Sequence, residues 1–408
     1  MTEFKTKSDS YYSPDALMTP QQAVNAIKQR WSPQPKSELA ALSDALGRRL
    51  AVPEYSRITV PVMREAACDG IAVRFSDCKD GVFDTTGWEE GKDYCAADTG
   101  DDFQDEFDTV IPIERVTFSD GKISIEPQLN LKKGMRVRQQ GSVVKIAEPL
   151  VEQGSLLNPM NIGLLATGGL SHVPCMQKPR IAYIPTGSEL VEIGEPVERG
   201  CHTETNGLMT KQMTTAWGAE CVLYPIVKDN KKDLEQSLLQ AIKDADIVII
   251  NGGTSMGSED FNAQLLQSKA EFFQHGVKCM PGMPAALAII DGKPVINLPG
   301  PPFAAFVGLQ WAVRELIAHW YHVERINRIL IRAKLTEEVR KSVGFELFLK
   351  LSLFTISTGE TFARPLSMGQ PFAQVLAKFN AFARIPAPIG FLPAGSEITA
   401  EIAFPQEY

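Results

Sequence analysis

Between residues 179 and 323 the chain repeats one pattern: a short apolar run, a loop of small polar residues, then a helical stretch. Apolar runs at 181–184, 221–227 and 247–250 alternate with helices expected after Asn206, over 232–245 and after Asp260. Strands joined through helices must cross over the sheet, so this order predicts a mostly parallel, doubly wound α/β sheet. Further strands are expected at 272–279, 285–290 and 295–298, followed by a long helix opened by Pro302 and running to Tyr321.

The flanks read differently. Thr19 as N-cap, Pro20 at the first helical position and Gln22 closing a capping box predict a helix with Ala23, Val24, Ile27 and Trp31 on one face, ended by Pro33 and Pro35. Residues 59–131 carry short runs at 70–73, 109–113 and 123–125 between Gly and Asp turns, which reads as a β-rich insertion. The acidic stretch 101–108 reads as a solvated loop. After Asn327, runs at 329–335, 346–353 and 397–402 predict a small β-domain. A chain of 408 residues outgrows one core, so two to four domains are expected, with clefts between them.

Composition excludes several roles. No apolar run approaches the roughly 20 residues of a membrane span, and the polar first residues, through Tyr11 and Tyr12, lack the pattern of an export signal. A net charge of -8 without a basic, aromatic-interleaved block argues against a nucleic-acid partner. Seven scattered cysteines, never spaced C-x-x-C, read as reduced structural thiols of a cytoplasmic protein, with Cys68 the one to follow into the structure.

Ligands of a doubly wound sheet bind beyond the carboxyl ends of its strands, where helix N-termini and backbone N–H groups face anions. Three loops fall at such ends. They are Pro185-Thr186-Gly187-Ser188-Glu189-Leu190, the segment 252–260 that begins Gly252-Gly253-Thr254-Ser255-Met256-Gly257, and Leu298-Pro299-Gly300-Pro301-Pro302. Together they point to a site for a phosphorylated or otherwise anionic small molecule. Glu189, Asp229 and Asp260 stand at the same ends, and carboxylates among phosphate-binding loops commonly hold Mg2+. For Asp229 and Asp260 a helix N-cap is the competing role.

These loops and several upstream segments resemble the MoeA family of molybdopterin molybdenumtransferases, related to the gephyrin E domain. Ala45-Leu46-Gly47-Arg48-Arg49-Leu50-Ala51 is similar to an early family segment, and Cys68-Asp69-Gly70-Ile71-Ala72-Val73 to M-D-G-Y-A-V. Thr99-Gly100, followed by Asp108, Val110 and Glu114, resembles the family's T-G segment. Thr186-Gly187-Ser188-Glu189-Leu190 resembles T-G-D-E-L, and Asn206 and Asp229 fall on a family asparagine and acid. Gly252-Gly253-Thr254-Ser255-Met256-Gly257 resembles G-G-V-S-V-G with Asp260 after it, and Leu298-Pro299-Gly300 with Pro302 resembles L-P-G-N-P.

The resemblance implies four parts: a discontinuous N-terminal linking domain (16–58 and 132–178), a β-rich insertion domain (59–131), a molybdopterin-binding α/β domain (179–325) and a C-terminal β-domain (326–408). It implies an elongated homodimer in the cytoplasm, with the site formed between the sheet domain of one subunit and the insertion of the other. The implied reaction belongs to molybdenum cofactor biosynthesis: adenylylated molybdopterin and molybdate give the cofactor and AMP, with Mg2+. Asp69, Glu189, Asp229 and Asp260 would be its acids, Glu189 and Asp260 metal ligands. Thr99, Gly100, Thr186, Gly187, Ser188, Asn206, Gly252, Gly253, Thr254, Ser255, Gly257, Pro299, Gly300 and Pro302 would hold the pterin and nucleotide.

The chain also departs from the family. Met280-Pro281-Gly282-Met283-Pro284 replaces K-P-G-K-P, Gly141-Ser142-Val143 replaces G-E-D, and Ser188, Pro301 and Ala66 replace Asp, Asn and Ser. Desolvating a dianion without cationic partners costs on the order of several kcal/mol, more than one neutral hydrogen bond returns. Two roles are therefore open on the sequence: the transferase, or a pterin- or nucleotide-binding scaffold that keeps the fold.

Overall fold

The computed structural model describes residues 17–127, 130–253, 261–324, 326, 328–366 and 372–404. It divides into two compact units, one of residues 37–176 and one in which the N-terminal residues join 177–408.

The larger unit is built on the doubly wound sheet. Its strands are β1 (Arg180–Pro185), β2 (Glu220–Leu223), β3 (Ile247–Asn251), β4 (Phe272–His275), β5 (Ala286–Ile290) and β6 (Lys293–Leu298), in the order β2-β1-β3-β6-β5-β4. The first four in that order are parallel, and β5 and β4 close the edge antiparallel. Strands β1, β3 and β6 are covered on both faces, which is why they read as nearly unbroken apolar runs. Ala182, Ile184, Val248, Ile250, Leu238 and Leu265 meet in the core on one side of the sheet.

Helix α1 (Pro20–Lys28) has the expected capping box: Thr19 Oγ1 accepts from Gln22 N, and Gln22 Oε1 accepts from Thr19 N. It stops at Lys28, before the prolines, because the N–H groups of Arg30 and Trp31 both turn back onto Ile27 O. Four helices belong to the sheet crossovers and its flank: α2 (Asn206–Ala216), α3 (Lys231–Asp244), α4 (Phe261–Lys269) and α5 (Pro302–Gly308). Helix α5 runs through a π turn (Leu309–Val313) into α6 (Arg314–Trp320), so the expected single helix carries one wide turn.

Two expected strands are shorter than their apolar runs. The run 221–227 pairs only as Glu220–Leu223, since Pro225 has no N–H for the ladder, and Val227 keeps a single bridge to Thr186. The run 272–279 breaks at Gly276, whose φ is +80°, and Cys279–Met280 joins the C-terminal sheet instead. In that sheet β7 (Leu330–Leu335), β8 (Glu346–Thr355), β9 (Thr361–Pro365), β10 (Ala381–Ile385) and β11 (Glu397–Ile402) pair in the order β8-β9-β7-β11-β10. A further β8–β10 pairing closes them into a barrel around Leu335, Leu351, Ala363, Ala383 and Ile398. Arg314 of α6 and Glu401 of β11 form a buried ion pair that ties this barrel to the helices.

The smaller unit has a three-stranded antiparallel sheet centred on Gly70–Val73, flanked by Tyr94–Ala97 and Thr109–Pro112. Gly70 is a close-approach glycine, because a Cβ there would lie 2.0 Å from the Ile111 carbonyl oxygen. The unit also holds the hairpin Val116–Ser119 with Lys122–Ile125, and the pair Ser37–Ala41 with His172–Met176. Among the described residues no helix is long and apolar enough to cross a membrane.

Candidate functional site

Strands β1, β3 and β6 end side by side, and their loops are laced together there. The Thr186 N–H and hydroxyl both donate to Asn251 O, at 2.8 and 3.1 Å, and Gly252 N–H donates to Leu298 O at 3.0 Å. Asn262 of α4, buried, donates from Nδ2 to Thr186 Oγ1 (3.2 Å) and Gly252 O (2.9 Å). Gly252 has φ +110°, and a Cβ on it would sit 2.3 Å from Thr186 O, so only glycine lets the two loops touch.

Beside these loops opens a cavity of about 580 Å³, lined by Thr186, Glu189, Asn206, Asn251, Gly252, Gly300, Pro302 and their neighbours. Asn206, at the start of α2, donates from Nδ2 to Asn251 Oδ1 (2.9 Å) and Gly300 O (2.7 Å). Asn251 Nδ2 in turn holds Pro299 O at 2.9 Å. The first and third sequence-predicted loops thus meet in one wall, together with Asn206 and Gly252, while Gly253 borders the smaller hollow beside Thr186. Thr254, Ser255, Gly257 and Asp260 lie outside the described residues.

Asp229 does not cap the helix that follows it. The N-cap of α3 is Asn230, whose Oδ1 accepts from Lys232 N and Asp233 N. Asp229 Oδ2 accepts from Ser188 N at 3.0 Å instead, and Asp229 N donates to Ser188 Oγ at 3.0 Å. Glu189, exposed, folds its carboxylate over Gly187, where a Cβ would lie 2.5 Å from Oε2. Among the described residues, no three His, Cys, Asp or Glu side chains form a ready metal cage.

Sequence reasoning passed over Tyr183, Glu204 and Lys228. Tyr183 is fully buried in β1, with its hydroxyl 2.9 Å from Asn251 Oδ1 and 3.1 Å from Glu204 Oε1. Burial first, then the neighbouring Glu204 charge, push its phenol well up, so it keeps its proton. Lys228 Nζ donates to Leu190 O (2.8 Å) and Ser188 O (3.3 Å) and borders a small hollow with Asp229 and Gly253. One signal is present: Tyr183 is a polar side chain within an otherwise apolar run, and Asn251 directly follows another.

Residues 18–169 match the MoeA N-terminal region (domain I and II), and residues 182–319 match a probable molybdopterin binding domain. The chain belongs to the MoeA family. A molybdopterin molybdenumtransferase of Haemophilus influenzae is 27% identical over 94% of this chain and 98% of its own length. One of Staphylococcus aureus is 27% identical over 83% of the chain and 84% of its own. A molybdopterin biosynthesis MoeA protein from Pyrococcus horikoshii superposes with a TM-score of 0.79 at 25% identity, covering 96% of this chain and 100% of that one.

The candidate residues of the smaller unit are organised around Asp69. Thr99 donates to Asp69 Oδ1 through its hydroxyl (2.7 Å) and its N–H (2.8 Å), and these bonds hold the carboxyl below its ordinary range. Gly100, with φ +94°, turns the chain and donates its N–H to Ala66 O at 2.9 Å. Cys68 is half-buried, and burial raises its thiol pKa. Met280 is exposed at the end of the strand Cys279–Met280, and Met283 is half-buried.

Proposed function

We propose that this protein inserts molybdate into adenylylated molybdopterin and releases AMP, the final metal-loading step of molybdenum cofactor biosynthesis. The laced ends of β1, β3 and β6 carry this reading, because they give the MoeA loops one cavity with Glu189 on its wall and Asp229 beside it. The name shared by the relatives in two bacterial genera supports the transferase over a scaffold.

In this reading the pterin occupies the cavity, and the phosphates lie toward Lys228 and the backbone N–H groups of the first two loops. The donor set suits Mg2+. Asp229 Oδ1 and both oxygens of Glu189 accept no hydrogen bond from a described residue, and Mg2+ takes one or two carboxylates along with phosphate oxygens and water. Glu189 and Asp229, with Asp260, would hold the ion, which when bound neutralises charge on the pyrophosphate. Asp229 is fixed by Ser188 and so is positioned to orient a water against the phosphorus released as AMP. Asp69, held ionised by Thr99, is a further acid assigned to the reaction.

We extend the proposal to the family arrangement: four domains with the boundaries given above, a cytoplasmic homodimer, and a site shared between the sheet domain of one subunit and the insertion of the other. Complementation of a strain lacking molybdenumtransferase tests the activity. Growth dependent on a molybdoenzyme should return with this chain and fail with Asp229→Ala. Failure of a well-expressed wild-type chain contradicts the transferase and leaves the scaffold.

A further inference from the structure

We propose that Glu204 reads the amino-pyrimidinone edge of the pterin, the 2-amino group and the adjacent ring N–H, in the cavity beside β1, β3 and α2. The inference rests on the pterin reading above and adds to it the residue that selects the heterocycle.

Three observations lead there. The first is charge. The 580 Å³ cavity is bordered by two carboxylates, Glu189 and Glu204, while none of its described lining residues is lysine or arginine. A phosphate on the Glu204 side would meet a like charge, whereas a donor-rich neutral ring would not. The nearest cation of the loops, Lys228, borders the hollow of Asp229 and Gly253 instead.

The second is hydrogen-bond arithmetic. The one hydroxyl proton of Tyr183 faces two acceptors, Asn251 Oδ1 at 2.9 Å and Glu204 Oε1 at 3.1 Å. Asn206 spends its Nδ2 protons on Asn251 Oδ1 and Gly300 O. Lone pairs outnumber protons along this wall, so a ligand that completes it must bring hydrogen-bond donors.

The third is Asn206 itself. It lines the cavity and is 6% exposed, yet its Oδ1 is buried with no hydrogen-bond partner. A buried acceptor without a donor is uncommon and marks a place for one. Glu204 is also fixed in place: Gly207 N donates to its Oε1 (2.9 Å) and Oε2 (3.2 Å), leaving lone pairs on both oxygens. A carboxylate so held pairs well with two parallel N–H donors.

The competing role for Glu204 is to tie down the start of α2 and nothing more. Equilibrium binding of pterin and of lumazine, which has a carbonyl where pterin has its 2-amino group, separates the two. The full wild-type chain should bind pterin at least about tenfold more tightly than lumazine, because a site built for a donor rejects the analogue without it. Glu204→Gln keeps an acceptor for Gly207 N, so its thermal melt should be unchanged. It should lose that preference, because its amide N–H can meet the lumazine carbonyl that the carboxylate repels. Equal affinities in the wild type, or a preference that survives in Glu204→Gln, overturn the inference and leave the pterin cavity standing. Binding of neither compound overturns the pterin reading and this inference with it.

Discussion

Ser188 and Asp229 hold each other by two reciprocal hydrogen bonds, each 3.0 Å, between the backbone N–H of one and the side-chain oxygen of the other. The pair joins the loop after β1 to the turn before α3. It also leaves capping to Asn230, so the two neighbouring residues do different work. Asn230→Ala should cost about 1 kcal/mol of stability, the usual loss for an N-cap, and spare turnover. Asp229→Ala should lower turnover at least about 100-fold, the scale for one preorganised polar group. A denaturant melt and an AMP-release assay on both variants check this, and equal effects on both readouts would refute the division.

Asp69 depends on Thr99. Its folded pKa is lowered by the Thr99 hydroxyl first and the Thr99 N–H second. A carboxyl lowered on folding contributes stability that is present above its unfolded pKa and is lost as pH falls through the folded one. Thr99→Val removes the larger contribution, so Asp69 should titrate at higher pH in the variant. Acid unfolding should likewise begin at higher pH. Carboxyl-resolved NMR titration measures the shift, and an unmoved Asp69 would contradict the assignment.

Met280 and Met283 lie in the segment that resembles the family's K-P-G-K-P. Two ammonium groups near a dianion, at an effective dielectric of about 20, each contribute on the order of a few kcal/mol before desolvation is subtracted. Met280 is 43% exposed, so a lysine there costs little packing. Met280→Lys with Met283→Lys should raise molybdate affinity at least about tenfold, or about 1.4 kcal/mol. A molybdate titration beside a thermal melt tests it: unchanged affinity with an unchanged melting temperature would mean that neither side chain faces the oxyanion.

The smaller unit leaves Leu39, Leu46, Val62, Met63, Ile146 and Met160 exposed, each more than half accessible. The homodimer proposed above would cover some of these side chains. Light scattering at micromolar concentration should give twice the 44.8 kDa chain mass. A monomer would contradict the homodimer.

Much of this arrangement is legible in the sequence because local chemistry and tertiary context agree. Thr19, Pro20 and Gln22 specify a helix start that needs no other residue, and the runs of β1 and β3 end where the Gly and Thr loops begin. The barrel is less legible. Its closure depends on Ala381–Ile385 pairing with both Glu346–Thr355 and Glu397–Ile402, a long-range choice that no single run encodes. Glu204 was hidden for another reason. A carboxylate three residues before Gly207 reads as a solvated side chain until the Tyr183 hydroxyl and the Gly207 N–H are folded against it.

The central claim is metal insertion coupled to AMP release. The direct measurement is AMP formed by the purified full chain from adenylylated molybdopterin, with molybdate and Mg2+ each present or withheld. AMP should appear only with both, together with molybdenum-loaded cofactor, and Glu189→Ala should reduce it at least about 100-fold. No AMP from wild-type protein that binds the substrate, or the same AMP yield from Glu189→Ala, would contradict the account.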